Sequence, residues 1–276
     1  MSISVQNNPA ALIALENLNK TNQSLTDVQG RISTGLNVAN AKDNASIWAI
    51  AQGQRADIGS LASVKNSLNR AASISDVTAA AGGSVSDLLV QLREKVVGAL
   101  DPSLSTNSRN ALNADYTAIL HQITQVLGSA AFDGANILNG SQPTDIAFLA
   151  NANGNSFITL SVKDMSLGGS IITLAATSTI GTLAGATANL PLLDASIANV
   201  NQALGDLGSE AKQIDNHNVF VSKLSDVLTT GVGNLVNADM ARESARLTAL
   251  QVQQQLGAQS LQIANQAPQV ILSLFR

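Results

Sequence analysis

The sequence predicts a mainly α protein: a long antiparallel rod of coiled-coil and helix-bundle character with a small β-hairpin insertion in its middle. Three observations carry that expectation. Apolar residues recur at seven-residue spacing over runs much longer than an ordinary helix. Only residues 132–190 change texture, to turn pairs and alternating runs. The layout is also palindromic, with a charge-poor helix at each end, a linker inside each, and a rod helix inside each linker.

Residues 1–35 carry only Glu16, Lys20, Asp27 and Arg31 as charges, and Ala11, Leu18, Leu25 and Ile32 recur every seven residues. Pro9 stands near the start of this first helix, where a missing N–H is tolerated. Gly35 and the asparagines that follow mark a linker, and Asp43 or Asn44 can cap the next helix. From Ala45 to about Ala99, one register holds Ile50, Val64, Ala71, Val85, Leu92 and Ala99, and the neighbouring one holds Ile47, Leu61, Leu68, Leu89 and Val96. Gly82-Gly83 is expected to be a weak point of this rod, at about 1 kcal/mol per Gly relative to Ala. Asp101-Pro102 stops the helix. The short break at 101–105 turns the chain back antiparallel into a helix from about Thr106 to Gly128.

Asp133-Gly134 and Asn139-Gly140 are turn pairs. The runs Asp145–Leu149 and Ser156–Val162, separated by Asn153-Gly154, predict a hairpin. Ser170–Thr179 suggests a further short strand and 181–189 a loop. Pro191 is read as opening a third long helix, 191–236, and Asn237-Ala238-Asp239 as a second linker or cap. The chain therefore divides at 1–44, 45–131, 132–190, 191–237 and 238–276.

Leu247 to Phe275 runs 29 residues without Asp, Glu, Lys or Arg. Eight Gln, Asn265 and Pro268 argue against a membrane span, which needs about 20 predominantly apolar residues. Ala245, Ala249, Val252, Leu256, Ile263, Val270 and Leu274 nevertheless form a helical stripe. A helix whose other faces are Gln, Ser and Ala suits a surrounding of its own copies, because amides pair without the desolvation cost of buried ions. One shared seam barely offsets the entropy of ordering two such helices, so both ends are expected to order fully only on association. Polymer contacts are expected from Leu18, Leu25 and Ile32 on the first helix and from Val252, Leu256, Ile263, Val270 and Leu274 on the last. Among charged residues, Arg93-Glu94-Lys95 is a contact site or a solvated face. Arg242 and its neighbours Glu243 and Arg246 set subunit register or support their own helix.

Composition excludes several function classes. A net charge of −4 with no basic run argues against nucleic acid as a partner. With no cysteine there is no disulfide, zinc–thiolate site or thiol nucleophile. His121 and His217 lack the neighbours of a nucleophile–base–orienter set, no HExxH or P-loop occurs, and residues 132–190 contain no His, Glu or Arg. No enzyme, no cofactor and no membrane insertion are expected. The opening MSISVQNNPAALIAL lacks a positively charged n-region and a long apolar core, so it is not read as a Sec signal peptide.

RISTGLNVANAKDNAS at 31–46, FDGANILNG at 132–140 and ANQAPQVILSLFR at 264–276 together resemble bacterial flagellin, over essentially the whole chain. Asp43-Asn44, Ile47-Trp48 and the ending SLFR are similar to flagellins of alphaproteobacteria. The resemblance implies terminal helices forming an inner tube (D0), rods forming D1, and a short or absent outer domain. It implies a self-assembling subunit of the flagellar filament, a propeller for swimming, located outside the cell. It further implies passage through the flagellar type III export apparatus with an export chaperone, and meetings with the filament cap and hook-associated proteins. The alternatives are a hook–filament junction protein and a surface homologue binding polysaccharide. In the group, exposed Ser and Thr are often O-glycosylated, which makes Ser166, Ser170, Thr173, Thr177, Ser178 and Thr179 candidates. Gln91 and Leu92 stand before Arg93-Glu94 where many enterobacterial flagellins carry an Arg, so recognition by the innate-immune flagellin receptor is expected to be weak.

Overall fold

The computed structural model describes residues 8–274, with side chains described through Gln266. The elements follow as α1 (Pro9–Thr34), α2 (Ala45–Ala99), α3 (Thr106–Ser129), β1 (Ile146–Leu149), β2 (Phe157–Leu160), α4 (Leu183–Val236) and α5 (Met240–Leu274). Packing divides the chain into two compact units, one of Met1–Ala56 with Val227–Arg276 and one of Asp57–Asp226. The linkers mark sequence boundaries, but by packing the first turns of α2 and the last turns of α4 group with the terminal helices.

In the terminal unit, short polar side chains start each helix by satisfying otherwise orphaned N–H groups. Asn8 Oδ1 accepts the Ala11 N–H, Asn44 Oδ1 accepts the Ile47 N–H, and Asp239 Oδ1 accepts those of Ala241 and Arg242. α1 ends at Gly35, whose φ of 70° is a left-handed cap open to glycine. Contacts between α1 and α5 step in opposite directions along the two helices, so the pair is antiparallel. Asn8 Nδ2 donates to the Ala264 carbonyl at 2.7 Å, Gln254 Nε2 to Asn22 Oδ1 at 2.7 Å, and Arg31 Nη1 lies 3.5 Å from Glu243 Oε1.

On α1 the expected series Ala11, Leu18, Leu25 and Ile32 is half-buried, and the adjoining series Ala14, Thr21 and Val28 is the buried one. On α5 the seam is not the expected one. The residues turned inward are Leu247, Leu250, Gln254, Gly257, Leu261 and Ala264, at alternating three- and four-residue steps. The expected stripe faces outward, with Val252, Leu256 and Ile263 exposed by 51%, 59% and 69%. The physical reason is at Gly257, where a Cβ would stand 3.3 Å from Leu18 Cδ1: the missing side chain gives Leu18 its seat. The linkers join through main-chain bonds, Asn37 and Val38 N–H to the Val236 carbonyl and Ala238 N–H to the Gly35 carbonyl.

The second unit has a conventional core. Val85, Leu89, Leu92 and Val96 of α2 meet Tyr116, Leu120, Ile123 and Leu127 of α3 and Leu193 and Val200 of α4. Leu138, Met165, Ile172, Leu174 and Ile180 of the insertion close the cluster. α3 runs antiparallel to α2, fixed by the Arg109 guanidinium on the carbonyls of Ala99 and Asp101 and by Lys95 at 3.1 Å from Asp115. α4 is antiparallel to α2 as well, through Arg93–Asp194 at 2.7 Å, Ser86–Asn201 at 3.3 Å and Asn69–Asn218 at 2.7 Å.

Two further expectations need correction, the start of α4 and the strand at 170–179. α4 begins at Leu183, eight residues before Pro191, which lies inside the helix. Thr182 is the cap, its Oγ1 accepting the Gly185 N–H at 3.1 Å. Gly82-Gly83, expected as a weak point inside the rod helix, lies within a continuous α2. A Cβ on Gly82 would stand 2.5 Å from Leu204 Cδ2, so the glycine admits α4 to close range. Ser170–Thr179 is not a strand. Helix side chains take its polar groups: Ser196 Oγ accepts the Thr173 N–H, and Tyr116 pairs with Ser178.

The hairpin forms as expected, antiparallel, with Ile146 opposite Leu160 and Leu149 opposite Phe157. Its connection is the loop 150–156 rather than a two-residue turn, held by Asn151 Oδ1 accepting the N–H groups of Asn155 and Ser156. Leu149 N–H donates to Ser67 Oγ of α2, Ser161 N–H to Glu210 Oε2 of α4, and Lys163 Nζ lies 3.5 Å from Glu210. The His217 Nε2–H donates to the Ala150 carbonyl at 2.6 Å, which gives that histidine a structural partner.

Candidate assembly interface

Among the described residues no three His, Asp or Glu side chains converge as a metal site, and no helix is long and apolar enough to cross a membrane. What the molecule offers instead is apolar surface on helices that carry almost no charge. In the terminal unit, Leu12, Ile13 and Leu15 of α1 and Val252, Leu256 and Ile263 of α5 are exposed. Such side chains gain about 25 cal/mol per Å² when another surface covers them.

The expected contact residues separate into three groups. Leu18, Leu25 and Ile32 lie along the α1 side of the seam with α5 and are half-covered within the chain. Val252, Leu256 and Ile263 are open to a neighbour. The side chains of Val270 and Leu274 lie outside the described residues. Among the charges, Arg93 Nε is bonded to Asp194 at 2.7 Å on its own rod, whereas Glu94 and Arg242 are exposed and in no ion pair among the described residues.

Arg242 is the expected contact residue, with Glu243 as its neighbour, and the two differ in geometry. Glu243 is 8% exposed, in the first turn of α5, where a carboxylate is favoured by the helix N-terminus. Its Oε1 faces Arg31 while its buried Oε2 has no hydrogen-bond partner among the described residues. A signal was present in the sequence: Glu243, Leu250, Gly257 and Ala264 are one seven-residue series, and it is the series that turns inward.

The candidate modification sites also divide. Ser166 Oγ donates to Asp164, Thr173 Oγ1 to the Leu192 carbonyl, and Thr179 Oγ1 to Asn113, while Ser178 is bonded to Tyr116. Ser170 and Thr177 are exposed, and their side chains make no hydrogen bond among the described residues. Tyr116 is fully buried, and burial pushes its phenol above the ordinary value while the Ser178 bond works the other way.

Comparison with known proteins agrees with this architecture. Residues 5–143 match the bacterial flagellin N-terminal helical region and residues 190–275 the bacterial flagellin C-terminal helical region. Flagellin FljJ of Caulobacter vibrioides is 53% identical, with 100% of this chain and 99% of that protein aligned. The flagellin of Brucella melitensis is 37% identical, with 99% of each chain aligned. Among solved structures, Bacillus cereus flagellin superposes with a TM-score of 0.50 at 23% identity, covering 56% of this chain and 87% of that one. A putative flagellar hook-associated protein from Vibrio parahaemolyticus gives a TM-score of 0.56 at 14% identity, covering 71% of this chain and 100% of that one, a likeness of fold. With both helical regions matched in order and flagellins aligned end to end, this chain belongs to the bacterial flagellin family.

Proposed function

We propose that this flagellin is a structural subunit that polymerises into the flagellar filament outside the cell, and that the outward faces of its terminal helices drive the assembly. One observation carries the reading. α5 has no charged residue beyond Arg246 up to Phe275, yet its described part presents Val252, Leu256 and Ile263 to solvent. A monomer gains nothing from that arrangement, whereas a polymer buries the stripe and pairs the glutamines beside it.

Export through the type III apparatus with a chaperone, and contacts with the filament cap and hook-associated proteins, follow from the same reading. The hook–filament junction alternative is less favoured, because the relatives aligned over the whole chain are flagellins. Ser170 and Thr177, exposed and without side-chain hydrogen bonds among the described residues, are the preferred positions for O-glycosylation. Weak recognition by the innate-immune receptor is supported by the pairing of Arg93 with Asp194 within the rod.

The test is seeded polymerisation of the purified chain, viewed by negative-stain electron microscopy beside a chain lacking residues 245–276. Filaments from the full chain alone are expected, with the second unit of the shortened chain still helical by circular dichroism. Filaments from the shortened chain would remove α5 as the driver. No filaments from the full chain under any seeding would move the reading to the junction protein.

A further inference from the structure

The second unit carries an exposed aromatic patch in which Phe220 keeps one ring contact within the chain, to His217 at 5.7 Å between centroids. Phe157 of β2 and Phe220 of α4 are 54% and 55% exposed and line one groove between the hairpin and α4, with Val219 also exposed nearby. These are two of only five phenylalanines in the chain. Lys212 lines the same groove and Lys223 lies one turn beyond Phe220, and neither is in an ion pair among the described residues. Asp215 falls on a neighbouring flank, in the seven-residue series of Asp194 and Asn201 that meets α2.

A complementary surface exists on α2. Asp76 and Asp87 are exposed and in no ion pair among the described residues. They are eleven residues apart, as Lys212 and Lys223 are. Each pair therefore spans ~16 Å of helix axis, so the charges of one helix can meet those of the other in register. Between the two acids the outer positions are small, namely Ala79, Ala80 and Gly83.

Gly83, like Gly53, Gly59, Gly205 and Gly208 on the two long helices, has open space where a side chain would stand, and it lies between the two aspartates. A glycine inside a helix costs about 1 kcal/mol relative to alanine. Next to it, Gly82 is explained by the approach of Leu204, but nothing stands within 4 Å of a Cβ built on Gly83. Its own chain makes no use of the dent.

We infer that this Phe220 face docks on the Asp76–Asp87 face of a second copy of the chain, with Lys212 and Lys223 opposite the two aspartates and Phe220 against the floor around Gly83. The inference rests on the filament reading and names a contact between neighbouring second units within it.

The test uses the full chain and measures critical concentration for seeded growth, with circular dichroism and thermal melting as the check on folding. K212E/K223E and D76K/D87K each place like charges face to face and are expected to raise the critical concentration roughly tenfold. The quadruple variant swaps both faces of every copy and should return to the parental value. Gly83→Leu should keep or raise the melting temperature, since it improves helix propensity, yet raise the critical concentration by filling the dent. Single-face swaps that grow like a filament-forming parent would overturn this contact and leave the filament reading intact. Loss in the single-face swaps without recovery in the quadruple variant would overturn the pairing. A parent that forms no filaments would overturn both readings.

Discussion

The two units solve the problem of burying apolar surface differently. The Asp57–Asp226 unit keeps large side chains inside: Leu89, Leu92, Val96, Tyr116 and Ile123 are all fully buried. Among the described residues, the α1–α5 pair of the terminal unit fully buries only Ala14, Thr21, Val28 and Glu243, and leaves Leu12, Ile13, Leu15, Val252, Leu256 and Ile263 in water. A helix pair whose leucines and isoleucine are only half-covered gains less from its own contact than a core of fully buried leucines, since burial energy scales with apolar area. Its large residues are placed where only another molecule can cover them. The second unit thus carries a core of its own, whereas the terminal pair leaves large apolar residues for a neighbour to cover.

Amide exchange should show this contrast most strongly. In a verified monomer, amides of 9–34 and 240–266 are expected to exchange at least about a hundredfold faster than those of 85–99 and 116–127, because local opening free energy follows buried apolar contact. Equal protection of both sets would show the terminal pair to be self-sufficient.

Two leucine truncations sharpen the comparison. Leu89→Ala, in the core, should cost about 2–5 kcal/mol in chemical denaturation of the monomer. Leu256→Ala, on the outer stripe of α5, should change monomer stability by no more than about 0.5 kcal/mol, while slowing filament growth. A large monomer penalty at Leu256 would mean that the stripe is packed within the chain after all.

A smaller effect belongs to Tyr116. Its phenol is raised by burial, so the folded state holds the proton more tightly than the unfolded chain does. That contribution is fully present below about pH 10, the unfolded value, and is lost as pH rises through the folded value. Tyr116→Phe should cost about 1 kcal/mol at neutral pH for the lost bond to Ser178. It should also flatten the alkaline fall in stability, which pH-dependent melting would record. An unchanged alkaline slope would assign the fall to other groups.

Helix existence and two of the caps were legible from the amino acids, because Asn44 and Asp239 precede strongly periodic runs and cap the helices that follow. The start of α4 was not. Thr182 caps a first turn, Leu183-Ala-Gly-Ala, that resembles loop composition, and Pro191 offered a more familiar start. The inward face of α5 was hidden for a different reason. With Ala, Gln and Leu on every side, hydrophobicity marks two stripes, and the choice between them falls to Gly257, whose significance appears only beside Leu18. The exposed stripe and the uncharged run that define the candidate interface were legible; which of the Arg242-Glu243 pair is buried was not.

The linkers carry one more consequence. Their union consists of main-chain N–H and carbonyl groups at residues 35–38 and 236–238. Every amino acid except proline supplies the same donors at 37, 38 and 238. Beyond the glycine that the left-handed φ at 35 favours, the hydrogen bonds of this junction ask only that proline be absent, and related chains that have drifted apart in sequence can preserve them. An organism that mixes several such chains in one polymer need keep in common only the path of the backbone there.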